Sequence, residues 1–176
     1  LLDTLDVEHL ADTLEEVESE FQAELIEHMS DEKVADLLEE MEPDEAADLL
    51  GDMPNDRKEG LLALMEKEDA DDVRKLLAYP EDSAGGIMTT EYASIHPNLT
   101  ASEAIRELRT MADEVETMFY VYVLDAEQHL VGTFSLNNLI FARPGQMVSD
   151  FMTKRLITVN LTDDQETVAQ TVAKYD

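Results

Sequence analysis

Asp12, Glu24, Asp36 and Asp48 recur every twelve residues, each directly after an alanine (Ala11, Ala23, Ala35, Ala47). Carboxylates are hard oxygen donors, the type that suits Mg2+ and Ca2+. Asp44 and Asp48 are also i, i+4 neighbours. On one helix face, two negative charges roughly 6 Å apart repel by about 0.7 to 3 kcal/mol at effective dielectrics of 80 to 20. Repulsion of that size invites a divalent cation, but a solvated acidic face needs no ligand. Spacing alone leaves both readings open.

The elements that carry these acids follow from the same period. Rows of twelve place Leu5, Val17, Met29, Met41, Met53 and Met65 in one column. Two further columns hold Leu25, Leu37, Leu49, Leu61 and Leu14, Ile26, Leu38, Leu50, Leu62. Each unit therefore predicts one short helix with a single apolar stripe. Twelve is a poor multiple of 3.6, so a continuous helix would rotate its stripe away from the core, and Ser30, Pro43 and Pro54 punctuate the units. Pro43 and Pro54 suit first-turn positions, with Asp44, Glu45 and Asp56 beside the positive end of the helix dipole. The pattern predicts a helical solenoid over residues 1–80, in which the methionines fill the core. After Met65 the column slips, the next leucine pair, Leu76 and Leu77, falling three residues late, and the array is expected to end there.

Charge narrows the function. The chain holds 42 acidic and 12 basic residues among 176, a formal net charge of -30. Residues 1–80 carry -21 of it. Such a surface repels phosphate backbones and anionic membranes, so no nucleic-acid partner is expected. The absence of cysteine excludes disulfides, a thiolate nucleophile and Cys-ligated metals, which fits a cytoplasmic setting. No uninterrupted apolar stretch is long enough to predict a membrane-spanning helix. His9, His28, His96 and His129 show no metalloprotease-type spacing and are expected at the surface.

From Ala84 the texture changes: Gly85 and Gly86 break the helical pattern and β-branched and aromatic residues appear. Strands are expected at residues 94–96, 118–124 and 129–134, and helices at 102–112 and 136–141, in the order β-α-β-β-α. Thr100 followed by Glu103 predicts a capping box, and residues 125–128 predict a polar hairpin connection. Met147–Met152 then echoes Gly86–Thr89, a strand is expected at 156–159 and a helix at 164–173. A second copy thus begins at about residue 146, and its missing elements suggest a piece of a longer protein. The fold class is α+β with two domains. Its boundaries are 1–80 for the helical repeat, 81–145 for the first β-α-β-β-α motif and 146–176 for the start of the second.

The segments Ala84–Tyr92, Phe119–Asp125 and Leu130–Leu136 resemble the first cystathionine-β-synthase (CBS) motif of MgtE magnesium transporters. The acidic array in front resembles that family's N domain, and the tract Tyr79–Gly86 joining the two is the more specific signal. The resemblance implies a non-enzymatic regulatory region on the cytoplasmic side of the membrane. It would dimerise through its CBS domains and close on Mg2+ to shut a transmembrane pore domain of the same protein. It also implies ligand sets for Mg2+: Asp12, Asp44, Asp48 and the Gly86 carbonyl for one group of sites, and Glu166, the Ala173 carbonyl and Asp176 for another.

Some members bind ATP in the CBS cleft through an aromatic residue and an acid after a Ser-Leu pair. Tyr120 and Ser135 match, and Asn138 is the third residue implied for the nucleotide, but Ser-Leu-Asn137-Asn138 puts an asparagine where the acid is expected. An amide accepts a ribose hydroxyl without charge assistance. Two other readings remain: an adenine-nucleotide sensor, and a scaffold whose solenoid grips a basic partner.

Overall fold

Short helices form where the period requires them. The computed structural model describes residues 6–15, 17, 19–112, 115 and 118–175. The first six helices are α1 (Val7–Glu15), α2 (Ser19–Glu27), α3 (Asp31–Glu40), α4 (Pro43–Gly51), α5 (Asn55–Leu64) and α6 (Lys67–Leu76). Ser30 caps α3, its hydroxyl accepting the Lys33 N–H. Pro43 opens α4, where its missing N–H costs nothing, whereas Pro54 lies one position earlier, as the N-cap of α5.

Packing follows a skip rule: α1 lies on α3, α2 on α4, α3 on α5 and α4 on α6. The leucine columns become the core, with Leu14, Ile26, Leu37, Leu38, Leu49, Leu50, Leu61 and Leu62 buried. Met41 and Met65 are buried with them, while Met29 and Met53 pack at the edge. Asp12, Glu24, Asp36 and Asp48 all face outward. Leu5 lies outside the described residues.

A sixth helix follows Met65. Helix α6 buries Ala70, Val73 and Leu76 in the same core. The three-residue slip of the apolar column changes the connection into α6 without removing its stripe.

Arginines tie the turns together. Arg57 donates to the Ile26 carbonyl at 3.1 Å and lies 3.5 Å from Asp31, while Arg74 donates to the Leu62 carbonyl at 3.1 Å. Both satisfy carbonyls near the ends of helices.

The strand-bearing part contains β1 (Ser94–Ile95), α7 (Ala101–Leu108), β2 (Tyr120–Leu124), β3 (Leu130–Ser135), α8 (Leu136–Phe141) and α9 (Val148–Phe151). β1 pairs parallel with β2, and β2 antiparallel with β3, Val121 opposite Phe134. Its core holds Ile95, Ala104, Leu108, Val121, Val123, Phe134, Leu139 and Val148. Thr100 and Glu103 form the expected capping box on α7, which ends at Leu108 instead of continuing to residue 112.

The strand expected at residues 156–159 does not form. A strand needs a neighbour for its N–H and C=O groups, and no described strand pairs with this segment. The helix after it does form, as α10 (Gln165–Tyr175), and buries no residue.

The chain divides into two compact units, Leu1–Thr90 with Val159–Asp176, and Glu91–Thr158. The tail joins the first unit through backbone bonds: Ala84 N–H to Asp163 O at 2.7 Å, Gly85 N–H to Leu161 O at 2.9 Å and Gln165 N–H to Asp82 O at 2.8 Å.

Candidate functional site

Helix α4 positions two carboxylates because its buried face, Ala46, Ala47, Leu49 and Leu50, fixes how the other face points. Asp44 and Asp48 fall one turn apart on it. The Asp44 Oδ1 oxygen is buried and accepts no hydrogen bond. A buried carboxylate oxygen without a donor carries the full cost of its lost water. Partial burial pushes the Asp48 pKa above its ordinary 3.8, and the neighbouring carboxylates of Asp44, Glu81 and Asp52 push it further in the same direction. Asp48 as a whole residue remains exposed, so this burial is local and screened by solvent.

Asp48 lines a cleft of about 120 Å³ together with Gly51, Lys58, Tyr79, Glu81 and Gly86. The tract after α6 shapes its far wall. Ser83 is buried, and its hydroxyl donates to the Pro80 carbonyl at 2.7 Å while accepting the Gly86 N–H at 3.2 Å. This turn is so tight that a Cβ on Gly86 would lie 2.2 Å from the Pro80 oxygen. Only glycine fits. A Cβ on Gly51 would sit 3.2 Å from Glu81 Oε1, which places the Glu81 carboxylate against the end of α4. Lys58 reaches the same place from α5, donating to the Gly51 carbonyl at 3.2 Å.

The expected metal ligands thus separate. Asp48 and Gly86 share this cleft, and Asp44 is close enough to act on Asp48. Asp12 is exposed on α1 and does not line the cleft. Glu166 and Ala173 are exposed on α10, and Asp176 lies outside the described residues. Three lining or neighbouring groups escaped the sequence reading. Asp52 was within reach, being four residues after Asp48. Glu81 and Lys58 come from other segments, and no spacing rule links them to α4.

Among the described residues no three His, Cys, Asp or Glu side chains are grouped to hold a metal. The cleft offers two carboxylates, Asp48 and Glu81, the donor set of an ion that keeps most of its water, as Mg2+ does. The crowded Asp48 carboxyl fits such an ion, while Asp44, whose buried Oδ1 accepts no hydrogen bond, lies one turn away and is not among the residues lining the cleft.

In the second unit, Tyr120 and Ser135 line a depression of about 280 Å³ with Phe119, Leu136 and Asn137. Tyr120 is exposed, as a stacking residue must be. Asn138 is not among the lining residues, and its Oδ1 accepts the Ser135 N–H at 3.0 Å and the Ser135 hydroxyl at 2.9 Å, capping α8. Asn137 is the amide that faces the depression.

Comparison with known proteins brings both units together. The family model of the MgtE intracellular N domain matches residues 1–82, and that of the CBS domain matches residues 84–145. A magnesium transporter MgtE of Enterococcus faecalis is 46% identical over 109 residues, covering 62% of this chain and 24% of its own. The chain spans about a quarter of the length of the curated relatives it matches. Among solved structures, the soluble part of a magnesium transporter is 40% identical and superposes with a TM-score of 0.92 over 98% of this chain and 68% of that one. The cytosolic domain of the Mg2+ channel MgtE, in complex with ATP, is 33% identical with a TM-score of 0.87 over 100% and 77%. No helix among the described residues is long and apolar enough to cross a membrane.

Proposed function

This chain belongs to the MgtE family, and from that premise we propose that it is the Mg2+-sensing regulatory region of a magnesium transporter or channel, with no catalytic role of its own. The observation that carries this reading is the Asp44–Asp48 pair: a buried carboxylate oxygen without a donor, one turn from a carboxyl whose pKa is raised by partial burial and by its acidic neighbours. When bound, Mg2+ supplies two positive charges to this surface. Asp44 and Asp48 would hold the ion largely through its water shell, with the Gly86 carbonyl as a further oxygen donor. Asp12, Glu166, the Ala173 carbonyl and Asp176 are proposed for further sites.

The carboxylates then act as a charge switch. Without the ion they repel one another across a unit whose first 80 residues carry most of the -30 net charge. Neutralisation favours a closed state, and closure shuts the transmembrane pore domain of the same protein. Swinging a two-state equilibrium from 1:99 to 99:1 takes about 5.5 kcal/mol, which several weak sites of about 1 kcal/mol each supply. We place the region on the cytoplasmic side of the membrane, as a homodimer through its CBS part, with domains 1–80, 81–145 and 146–176. Small-angle scattering and limited proteolysis in EDTA and in millimolar Mg2+ test this. A smaller radius and slower cleavage with Mg2+ are expected, and identical behaviour would overturn the proposal.

A second reading rests on Tyr120 and Ser135 sharing a depression, and on the ATP complex of the related cytosolic domain. ATP would stack on Tyr120, while Asn137 takes the place of the ribose-binding acid. Calorimetric titration with ATP should give heat that Tyr120→Ala abolishes. No heat from the parent chain would remove this reading and leave the first intact.

A further inference from the structure

Lys58 stands where helix stability alone would not put it. It lies in the first turn of α5, at the end whose dipole repels a cation. Its side chain crosses instead to the end of α4, bonds the Gly51 carbonyl at 3.2 Å and lines the cleft that holds Asp48 and Glu81. Glu81 Oε1 approaches the same glycine. The ammonium therefore occupies the negative end of one helix and the wall of an acidic cleft at once. It does not neutralise the cleft, since two carboxylates, Asp48 and Glu81, line it against the single ammonium of Lys58.

We infer that Lys58 is a tethered cation that competes with Mg2+ for the Asp48 cleft and so sets the concentration at which the ion is taken up. This inference rests on the reading of the cleft as a Mg2+ site. Two cations in one small cleft repel, and removing the resident one favours the incoming divalent ion. A charge and a divalent ion several ångströms apart in a solvated cleft predict a roughly three- to tenfold lower apparent Kd once the ammonium is removed, with the difference shrinking in salt. The tether matters as well. The bond to Gly51 holds the charge at the cleft, so an arginine at this position should compete nearly as well, while a neutral chain of similar length should not.

The test is calorimetric titration of the whole chain with MgCl2 at low ionic strength, comparing the parent with Lys58→Met, Lys58→Arg and Asp48→Asn, each checked for native fold by its amide NMR spectrum. Lys58→Met should bind about three- to tenfold more tightly, Lys58→Arg within about twofold of the parent, and 0.5 M NaCl should bring Lys58→Met and the parent together. Should Asp48→Asn weaken binding while Lys58→Met binds no more tightly than the parent, the role of Lys58 is overturned and the cleft remains a Mg2+ site. Should Asp48→Asn bind like the parent, the cleft is not the site, and both the proposed function at these residues and the role of Lys58 fall.

Discussion

Asp44 and Asp48 stand one helical turn apart on α4, the first with a buried oxygen that accepts no hydrogen bond and the second with a pKa raised above 3.8. Two acids so placed weaken the fold unless a cation joins them, which is the basis of the proposed sensor role.

The sign of the Asp48 shift fixes a pH dependence. Its folded pKa exceeds the unfolded value, so the folded state holds the proton more tightly. The associated stability is fully present below pH 3.8 and is lost as pH rises through the folded value. In EDTA at pH 7, Asp48→Asn should therefore unfold at a higher temperature than the parent, by less than about 1 kcal/mol given solvent screening, with no difference below pH 3.8. Saturating Mg2+ should reverse the order. Thermal melts at pH 3.5 and pH 7, with and without the ion, check both statements.

Arg57 spans three helices of the array through the Ile26 carbonyl and Asp31. Arg57→Ala should cost about 1 to 2 kcal/mol in urea unfolding, mostly from the carbonyl left without its charged donor. A loss under about 0.3 kcal/mol would show that the contact contributes nothing.

Two glycines should respond in opposite directions. Gly86→Ala places a methyl 2.2 Å from the Pro80 oxygen, a backbone atom that cannot step aside, and should destabilise by roughly 1 to 3 kcal/mol. Gly60 lies within α5 with open space where a Cβ would go, so Gly60→Ala should stabilise by about 0.5 to 1 kcal/mol. Denaturant midpoints of the two variants test the pair.

The capping box on α7 should matter in the second unit. Thr100 Oγ1 accepts the Glu103 N–H and the Glu103 carboxylate accepts the Thr100 N–H at 2.8 Å. Thr100→Ala should cost about 1 kcal/mol and speed hydrogen exchange in the first turn of α7.

What could be read from sequence follows the physics of local pattern. The columns of Leu14, Ile26, Leu38, Leu50 and Leu62 announce five helices because each stripe is complete within its own unit. Helix α6 falls within the expected repeat of residues 1–80, but its stripe is shifted by three residues, so the twelve-residue columns do not fix its place in the array. Residues 156–159 read as a strand by composition, but pairing is a property of the neighbour, and composition does not report it. The site divides the same way. Asp44 and Asp48 are neighbours on one helix and are visible by spacing. Glu81 and Lys58 reach them only through tertiary packing, and Asn138 serves as a helix cap, which the Ser135-x-x-Asn138 spacing already permits.

Residue-resolved NMR titration of the chain with MgCl2, against NaCl of equal ionic strength, tests the Asp44–Asp48 site most directly. Saturable amide shifts confined to the first unit, strongest around Asp44–Asp52 and Glu81–Gly86 and lost in Asp48→Asn, are the expected result. Shifts that NaCl reproduces, or that survive Asp48→Asn unchanged, would contradict it.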